Sequence, residues 1–369
     1  MEKSPKKITY LIDDYRTPYA GTEGQLLTLI RELDKSEFSP EITLFRESDY
    51  INKHGFPCTV NVLNITRLLS FHTIKEIILF ALSLRKNDCR LVHIFFNDAS
   101  IIAPAFLKLS GCKVIISRRD MGYWYTPLTT FILRINRFFI DAVITNSEAV
   151  KLVTHENERV PISKIHVIYN GYNSNKFTSP DSGVDKTIIN TNPKSQVIGL
   201  VANIRPIKRI DDLICAFSRV NKDIPDTELV IVGSGDTKQL EDLAHDLNLR
   251  DKIHFLGGQS NVTSIIKKFD VAVLCSESEG FSNSIIEYMQ CLIPVVCNDV
   301  GGNSEIVKNN ETGYLVHAGD IEELAEKISM VLRNPAHAKK MAGKAYDFVL
   351  ELCDKNKMIE KYAAIYNAI

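Results

Sequence analysis

The chain has 369 residues, 45% of them hydrophobic and 24% charged, with a net charge of −1. That length predicts two domains with ample core, and the near-neutral balance excludes a global electrostatic attraction to nucleic acid, which is not expected as a partner. Eight cysteines (58, 89, 112, 215, 275, 291, 297 and 353) show no C-x-x-C or other metal-ligand spacing. They lie mostly in apolar runs, which predicts free thiols in a reducing compartment and no bound metal. The opening Met1–Lys7 leads straight into a strand pattern, so no signal peptide is expected. No apolar run reaches the roughly 18 residues of a membrane span. These features predict a cytoplasmic protein.

In chain order, Ile8–Ile12 reads as a buried strand, and Gly21-Thr22-Glu23-Gly24 opens a helix bearing Leu26, Leu27, Leu29, Ile30 and Leu33. Further strands are expected at 41–45, 91–96, 114–118 and 142–146, with helical patterns near 73–86, 99–110 and 126–138. Strands alternating with helices imply a parallel, doubly wound sheet. Asp13 and Asp14 follow the first strand at an edge where ligands bind in such sheets. His93, inside an apolar strand, is expected to be a satisfied core histidine. Ser117-Arg118-Arg119-Asp120 ends a strand and enters an aromatic loop; its two arginines suit an anionic acceptor or a solvated turn. The aromatic and basic stretch Tyr123–Phe139 suits a helix packed on the sheet, the expected reading, or one lying on a membrane surface. Residues 173–195, rich in Ser, Pro, Asp, Asn and Thr, read as an interdomain linker.

A second alternating series follows, with strands at 197–202, 228–232, 253–256, 271–275 and 294–297. Asn203-Ile-Arg205-Pro-Ile-Lys208 puts two cations after its first strand. Gly233-Ser-Gly235 and Phe255-Leu256-Gly257 mark further strand-to-loop turns. Helices are expected at 320–333, 335–351 and 355–368. The most informative stretch is 270–291: an apolar strand, the turn Glu277-Ser-Glu279-Gly280-Phe281, then Ser282-Asn283-Ser284 as good helix N-caps. Free backbone N–H groups and the positive helix end make an anion site there. Glu279 and Glu287 bracket it, and carboxylates beside such a site suit hydroxyls better than phosphates. First-turn glutamates are also simply favoured by the helix dipole. A sugar nucleotide would satisfy both demands.

Glu279 with Glu287 eight positions on, Pro294-Val-Val296, and Gly301-Gly302-Asn-Ser-Glu305 resemble the E-x7-E region of the retaining GT-B glycosyltransferases of family four (glycosyl transferases group 1). The likeness covers nearly the whole chain and is strongest over 197–320. It implies two Rossmann-like α/β domains facing across a cleft. An acceptor-binding domain would span 1–180, a nucleotide-sugar domain 181–354, and a helix at 355–369 would return to the first domain. By resemblance, Glu279 contacts the transferred sugar and Glu287 the ribose. Lys208 and Arg205 offset the leaving diphosphate, with Gly280, Phe281, Ser282 and Asn283 lining the donor site. Gly21 and Thr22 match a loop near the donor phosphates, Gly233 a ligand-contacting turn and Gly257 the nucleobase segment. Where the family's usual arginine stands the chain has Asn203, and where many members have a His it has Arg119 or Asp120.

The reaction so implied moves a sugar from a nucleotide-diphosphate donor to a glycan or lipid-linked acceptor, with no cofactor and no metal, since no D-x-D occurs. It would belong to cell-surface polysaccharide synthesis, in the cytoplasm or at the inner face of the membrane. A catalytically silent subunit of the same fold, and a nucleotide-sugar epimerase, are the competing classes. A dinucleotide oxidoreductase lacks its G-x-G-x-x-G.

Overall fold

The structure is a computed structural model and describes residues 4–19, 21–173, 191–259 and 261–369. The chain forms two compact units, Met1–Gly171 with Lys355–Ile369, and Tyr172–Asp354. Most of the linker stretch at 173–195 lies outside the described residues.

The first unit carries a parallel sheet of β1 (Lys6–Ile12), β2 (Phe38–Leu44), β3 (Thr59–Val62), β4 (Leu91–Ile94), β5 (Lys113–Arg118), β6 (Ala142–Thr145) and β7 (Ile165–Val167), in the order β3-β2-β1-β4-β5-β6-β7. The central strands are buried along almost their whole length because helices cover both faces. β3 escapes the hydrophobic pattern because it is an edge strand, with three of its four residues exposed. Alternate residues of β1 serve opposite faces. Ile8, Tyr10 and Ile12 pack with Leu26, Leu29 and Ile30 of the helix Gly21–Glu32. Leu11 packs with Ile77, Phe80 and Leu84 of the helix Phe71–Lys86. The helical pattern expected near 99–110 is two short helices, Asn97–Ile102 and Pro104–Leu109, because Pro104 cannot continue the first.

The last helix, Lys355–Ala368, belongs to this first unit. Met358, Tyr362 and Tyr366 enter the same core as Tyr10 and Phe38. His93 is fully buried between Tyr366 and Ser117, with Nδ1 2.7 Å from the Tyr366 hydroxyl and Nε2 2.9 Å from Ser117 Oγ. It is the satisfied core histidine expected from sequence. Gln25 clamps Gly171 by donating to its carbonyl (3.1 Å) and accepting from its N–H (3.0 Å).

The second unit carries β8 (Gln196–Val201), β9 (Thr227–Val232), β10 (Ile253–Phe255), β11 (Val271–Leu274), β12 (Val295–Asn298) and β13 (Tyr314–Val316), in the order β10-β9-β8-β11-β12-β13, again parallel. Chain direction across the sheet reverses between β8 and β11. Ligands of open α/β sheets bind outside the carboxyl ends at such a switch point. Gly199 sits here in mid-β8, opposite Ala272, and a Cβ on it would stand 2.1 Å from the buried Phe269 ring. Gly199→Ala is therefore expected to destabilise the protein by about 3 kcal/mol through overpacking. An unchanged urea midpoint would show that the ring yields freely. Among the described residues no helix is long and apolar enough to cross a membrane.

Candidate active site

The loops after β8 and β11 meet at the switch point. After β8 the chain runs through exposed Asn203 and Arg205 into a tight turn at Pro206–Lys208, closed by the Lys208 N–H donating to the Arg205 carbonyl (2.9 Å). Arg209 follows in the left-handed region (φ 48°), which reverses the chain into the helix Ile210–Asp223. After β11, the Glu277 N–H donates to the Ile207 carbonyl (2.8 Å), and the Cys275 thiol donates to the carbonyls of Lys208 (3.2 Å) and Arg209 (3.0 Å). The backbone under Lys208 is thus pinned to the neighbouring loop.

The two side chains singled out from sequence meet there. Lys208 Nζ donates to Glu279 Oε1 at 2.6 Å, and Ser276 Oγ donates to the same oxygen at 2.6 Å. Lys208 and Glu279 retain 22% and 12% exposure, shielded enough for the pair to be electrostatically strong yet open to solvent on one side. The Glu279 carbonyl accepts from the Gly302 N–H (3.1 Å), tying in the loop after β12, and Asn298 Nδ2 donates to the Cys275 (2.7 Å) and Ser276 (3.2 Å) carbonyls.

Gly280, Phe281 and Ser282 are buried and lead into the helix Asn283–Gln290, whose N-cap is Ser282, accepting weakly from the Ile285 N–H at 3.4 Å. Asn283 and Glu287 are half-buried on its first turns. This helix is bolted to β8: Ser284 Oγ donates to the Val201 carbonyl (2.7 Å), and the Val201 N–H donates to the Tyr288 hydroxyl (2.6 Å). Its N-terminal dipole therefore stands beside Lys208 on the same sheet edge. Gly233 (φ 155°) donates its N–H to the Gly257 carbonyl (2.9 Å), and a Cβ there would stand 1.9 Å from the Ala202 carbonyl oxygen. Only glycine lets those loops close on one another. Gly257 (φ 63°) is exposed.

Residues 19–176 match the family described as Glycosyltransferase Family 4, and residues 182–348 match Glycosyl transferases group 1. The chain belongs to glycosyltransferase family 4. The N-acetyl-alpha-D-glucosaminyl L-malate synthase of Bacillus anthracis is 28% identical over 61% of this chain and 59% of its own length. The poly(ribitol-phosphate) alpha-N-acetylglucosaminyltransferase of Staphylococcus aureus (strain COL) is 28% identical over 47% and 36%. The chain thus spans well under two thirds of the curated relatives it matches. Anabaena Alr3699/HepE, solved in complex with UDP, superposes with a TM-score of 0.85 at 19% identity, covering 98% of this chain and all of that one. The fold is that of the GT-B glycosyltransferases.

In this family 4 chain the first-unit candidates occupy separate stations. Gly21 and Thr22 begin the helix Gly21–Glu32. Glu23, beside them, is buried, and desolvation holds its carboxyl above the usual range. Arg118 is neither solvated nor open to an acceptor, the two readings the sequence allowed. The end of β5 turns it inward, 4% exposed, where Nε and Nη2 donate to Glu158 at 2.6 and 3.2 Å. Tyr125 donates to that same carboxylate (2.5 Å), and Trp124 stacks 5.5 Å from the guanidinium carbon. Asp120 is spent on its own loop, accepting from the Gly122 N–H (2.8 Å) and Trp124 Nε1 (3.0 Å). Arg119 remains half-buried and hydrogen-bonded to Asn170 Oδ1.

Sequence reasoning passed over Ser276 and Tyr288. Ser276 stood in the quoted stretch, three residues before Glu279, and that spacing was its one signal. The hydroxyl of Tyr288 acts across the sheet on Val201, a contact that no local pattern announces.

Proposed function

We propose that the chain is a retaining, metal-independent glycosyltransferase that moves a sugar from a nucleotide-diphosphate donor to a hydroxyl of an anionic acceptor in cell-surface glycan synthesis. The observation that carries the reading is the Lys208–Glu279 pair at the switch point, beside the N-terminus of Asn283–Gln290. The ammonium and the helix end are preorganised to stabilise charge developing on the departing diphosphate, commonly the largest catalytic contribution. Glu279 accepts from sugar hydroxyls, and Glu287, about one turn inside that helix, from the ribose.

In the reaction the bond from the anomeric carbon to the phosphate oxygen breaks while the bond to the acceptor oxygen forms. The acceptor proton passes to the departing phosphate oxygen, so no protein nucleophile is required. Relatives named for α-linked N-acetylglucosaminyl products support retention, because nucleotide donors of that sugar are themselves α-linked. Their acceptors, L-malate and poly(ribitol-phosphate), are anionic, which agrees with Arg119 as the cation on the acceptor side. HepE was solved with UDP and with UDP-glucose, which makes uridine nucleotides the first donors to test.

Thermal shift against a panel of nucleotide sugars, in EDTA, reads donor binding by mass action. A UDP-sugar is expected to raise the melting temperature in the native chain and not in Glu287→Ala, with an α-linked transfer product by NMR. A flat response across the panel would refute the donor site, and a β-linked product would refute retention.

A further inference from the structure

We propose that the helical layer on one face of the first sheet is a docking surface for an anionic lipid bilayer. Among the described residues, sixteen of the eighteen exposed large apolar side chains lie in the first unit and two, Leu292 and Met330, in the second. The asymmetry between two units of similar size marks a site, since scattered exposed apolar residues would divide evenly. Twelve of the sixteen fall between Leu69 and Phe138.

Their arrangement is regular. Phe71 (93% exposed), Ile74, Ile78 and Leu82 form an outward stripe on Phe71–Lys86, opposite the stripe of Ile77, Phe80 and Leu84 that enters the core. On Pro127–Asn136 only Leu133 and Asn136 are buried, while Leu128, Phe131 and Ile135 point outward, and Phe138 extends the row. The helix packs through one narrow edge and leaves its broad apolar face bare. Both helices lie in crossovers of the same direction, β3 to β4 and β5 to β6, so right-handed connections put them on one face of the sheet. The short helices Asn97–Ile102 and Pro104–Leu109, packed against them, fill the layer between.

Charge selects the occupant. Residues 63–86 hold four basic side chains (Arg67, Lys75, Arg85, Lys86) and one acidic, and residues 121–140 hold two basic and none acidic, in a chain whose net charge is −1. The acidic one, Glu76, lies 4.0 Å from His72. Arg137 stacks 4.6 Å over the Phe138 ring, an apolar body with a cationic rim. Aromatic and aliphatic side chains ringed by Arg and Lys match the boundary between acyl chains and anionic headgroups. A second copy related by a two-fold axis would set these cations against themselves.

Sedimentation with vesicles of phosphatidylcholine containing about one third phosphatidylglycerol, against phosphatidylcholine alone, tests this. The native chain is expected to pellet with the anionic vesicles, less so at high salt. Phe71→Ser with Phe131→Ser should lower partitioning roughly a hundredfold, about tenfold for each ring withdrawn from the interface. Arg85→Gln with Lys86→Gln should lower it about tenfold. Both pairs are exposed, so unchanged melting temperatures are expected to accompany the loss. Three results would overturn the proposal: no pelleting with either vesicle, pelleting that neither double variant reduces, or a native dimer that the phenylalanine variant splits into monomers.

Discussion

Lys208→Ala is expected to lower kcat/KM for sugar transfer by about 10³-fold, some 4 kcal/mol of transition-state stabilisation. The loss has two sources. The ammonium proposed to offset the leaving diphosphate disappears. Glu279, 12% exposed and left with Ser276 alone on Oε1, then places an unopposed carboxylate beside the departing charge. The fall should appear in kcat more than in KM, because the diphosphate gains charge as its bond to the sugar breaks. Glu279→Gln separates the two sources, since it removes the negative charge and keeps an oxygen for the Ser276 hydroxyl. In the Lys208→Ala background it should recover part of the lost rate. A Lys208→Ala enzyme within a few-fold of native kcat would remove the ion pair from the mechanism.

The second large effect is on stability in acid. His93 is fully buried, and desolvation, helped by the nearby Arg119 charge, lowers its pKa to about 3. The unfolded chain takes up a proton near the ordinary value of about 6.5, and the folded chain does not. Stability from this group is therefore complete above about pH 6.5 and is lost as pH falls towards 3, amounting to ~3 kcal/mol by pH 4. Asp13, in the same unit, works in the opposite sense. Burial raises its carboxyl to about 6 even though it accepts from the Asp98 and Ala99 N–H groups at 2.9 and 2.8 Å, so its contribution is lost as pH rises from about 4 to 6. Comparing native protein with His93→Gln cancels the Asp13 contribution. Between pH 7 and pH 4 the native chain should lose ~3 kcal/mol more than the variant in urea titrations. Parallel pH profiles would mean that His93 takes up a proton in the folded state.

Much of this architecture could be read from the chain before its structure. Apolar runs such as those of β1 and β11, each followed by a capped or glycine-led helix, announce themselves locally, as does the Ser282 cap. Lys208 and Glu279 were visible as charges after two strands, 71 residues apart. Their meeting follows from strand order, because β8 and β11 are neighbours.

What escaped detection depends on direction rather than identity. Arg118 and Arg119 are adjacent, and a strand sends successive side chains to opposite sides, so one is sealed against Glu158 and the other reaches Asn170. The outward stripes of Phe71–Lys86 and Pro127–Asn136 look from sequence like any core helix, since periodicity reports that a face is apolar and not what covers it. The edge strand β3, polar and exposed, gives almost no signal.

The placement of Tyr362 and Tyr366 against Tyr10 and His93 also bears on how the molecule is made. Every strand of the first sheet is synthesised before any of the second, yet the helix that finishes its core is translated after the whole of the second unit. Until that helix has been translated, the second unit has all of its own sequence and the first does not. Domains of nascent chains usually mature from the N-terminus onward, and here that order is inverted. Limited proteolysis of stalled nascent chains should find the second unit protected first, with the earlier-made unit protected only once Lys355–Ala368 has emerged.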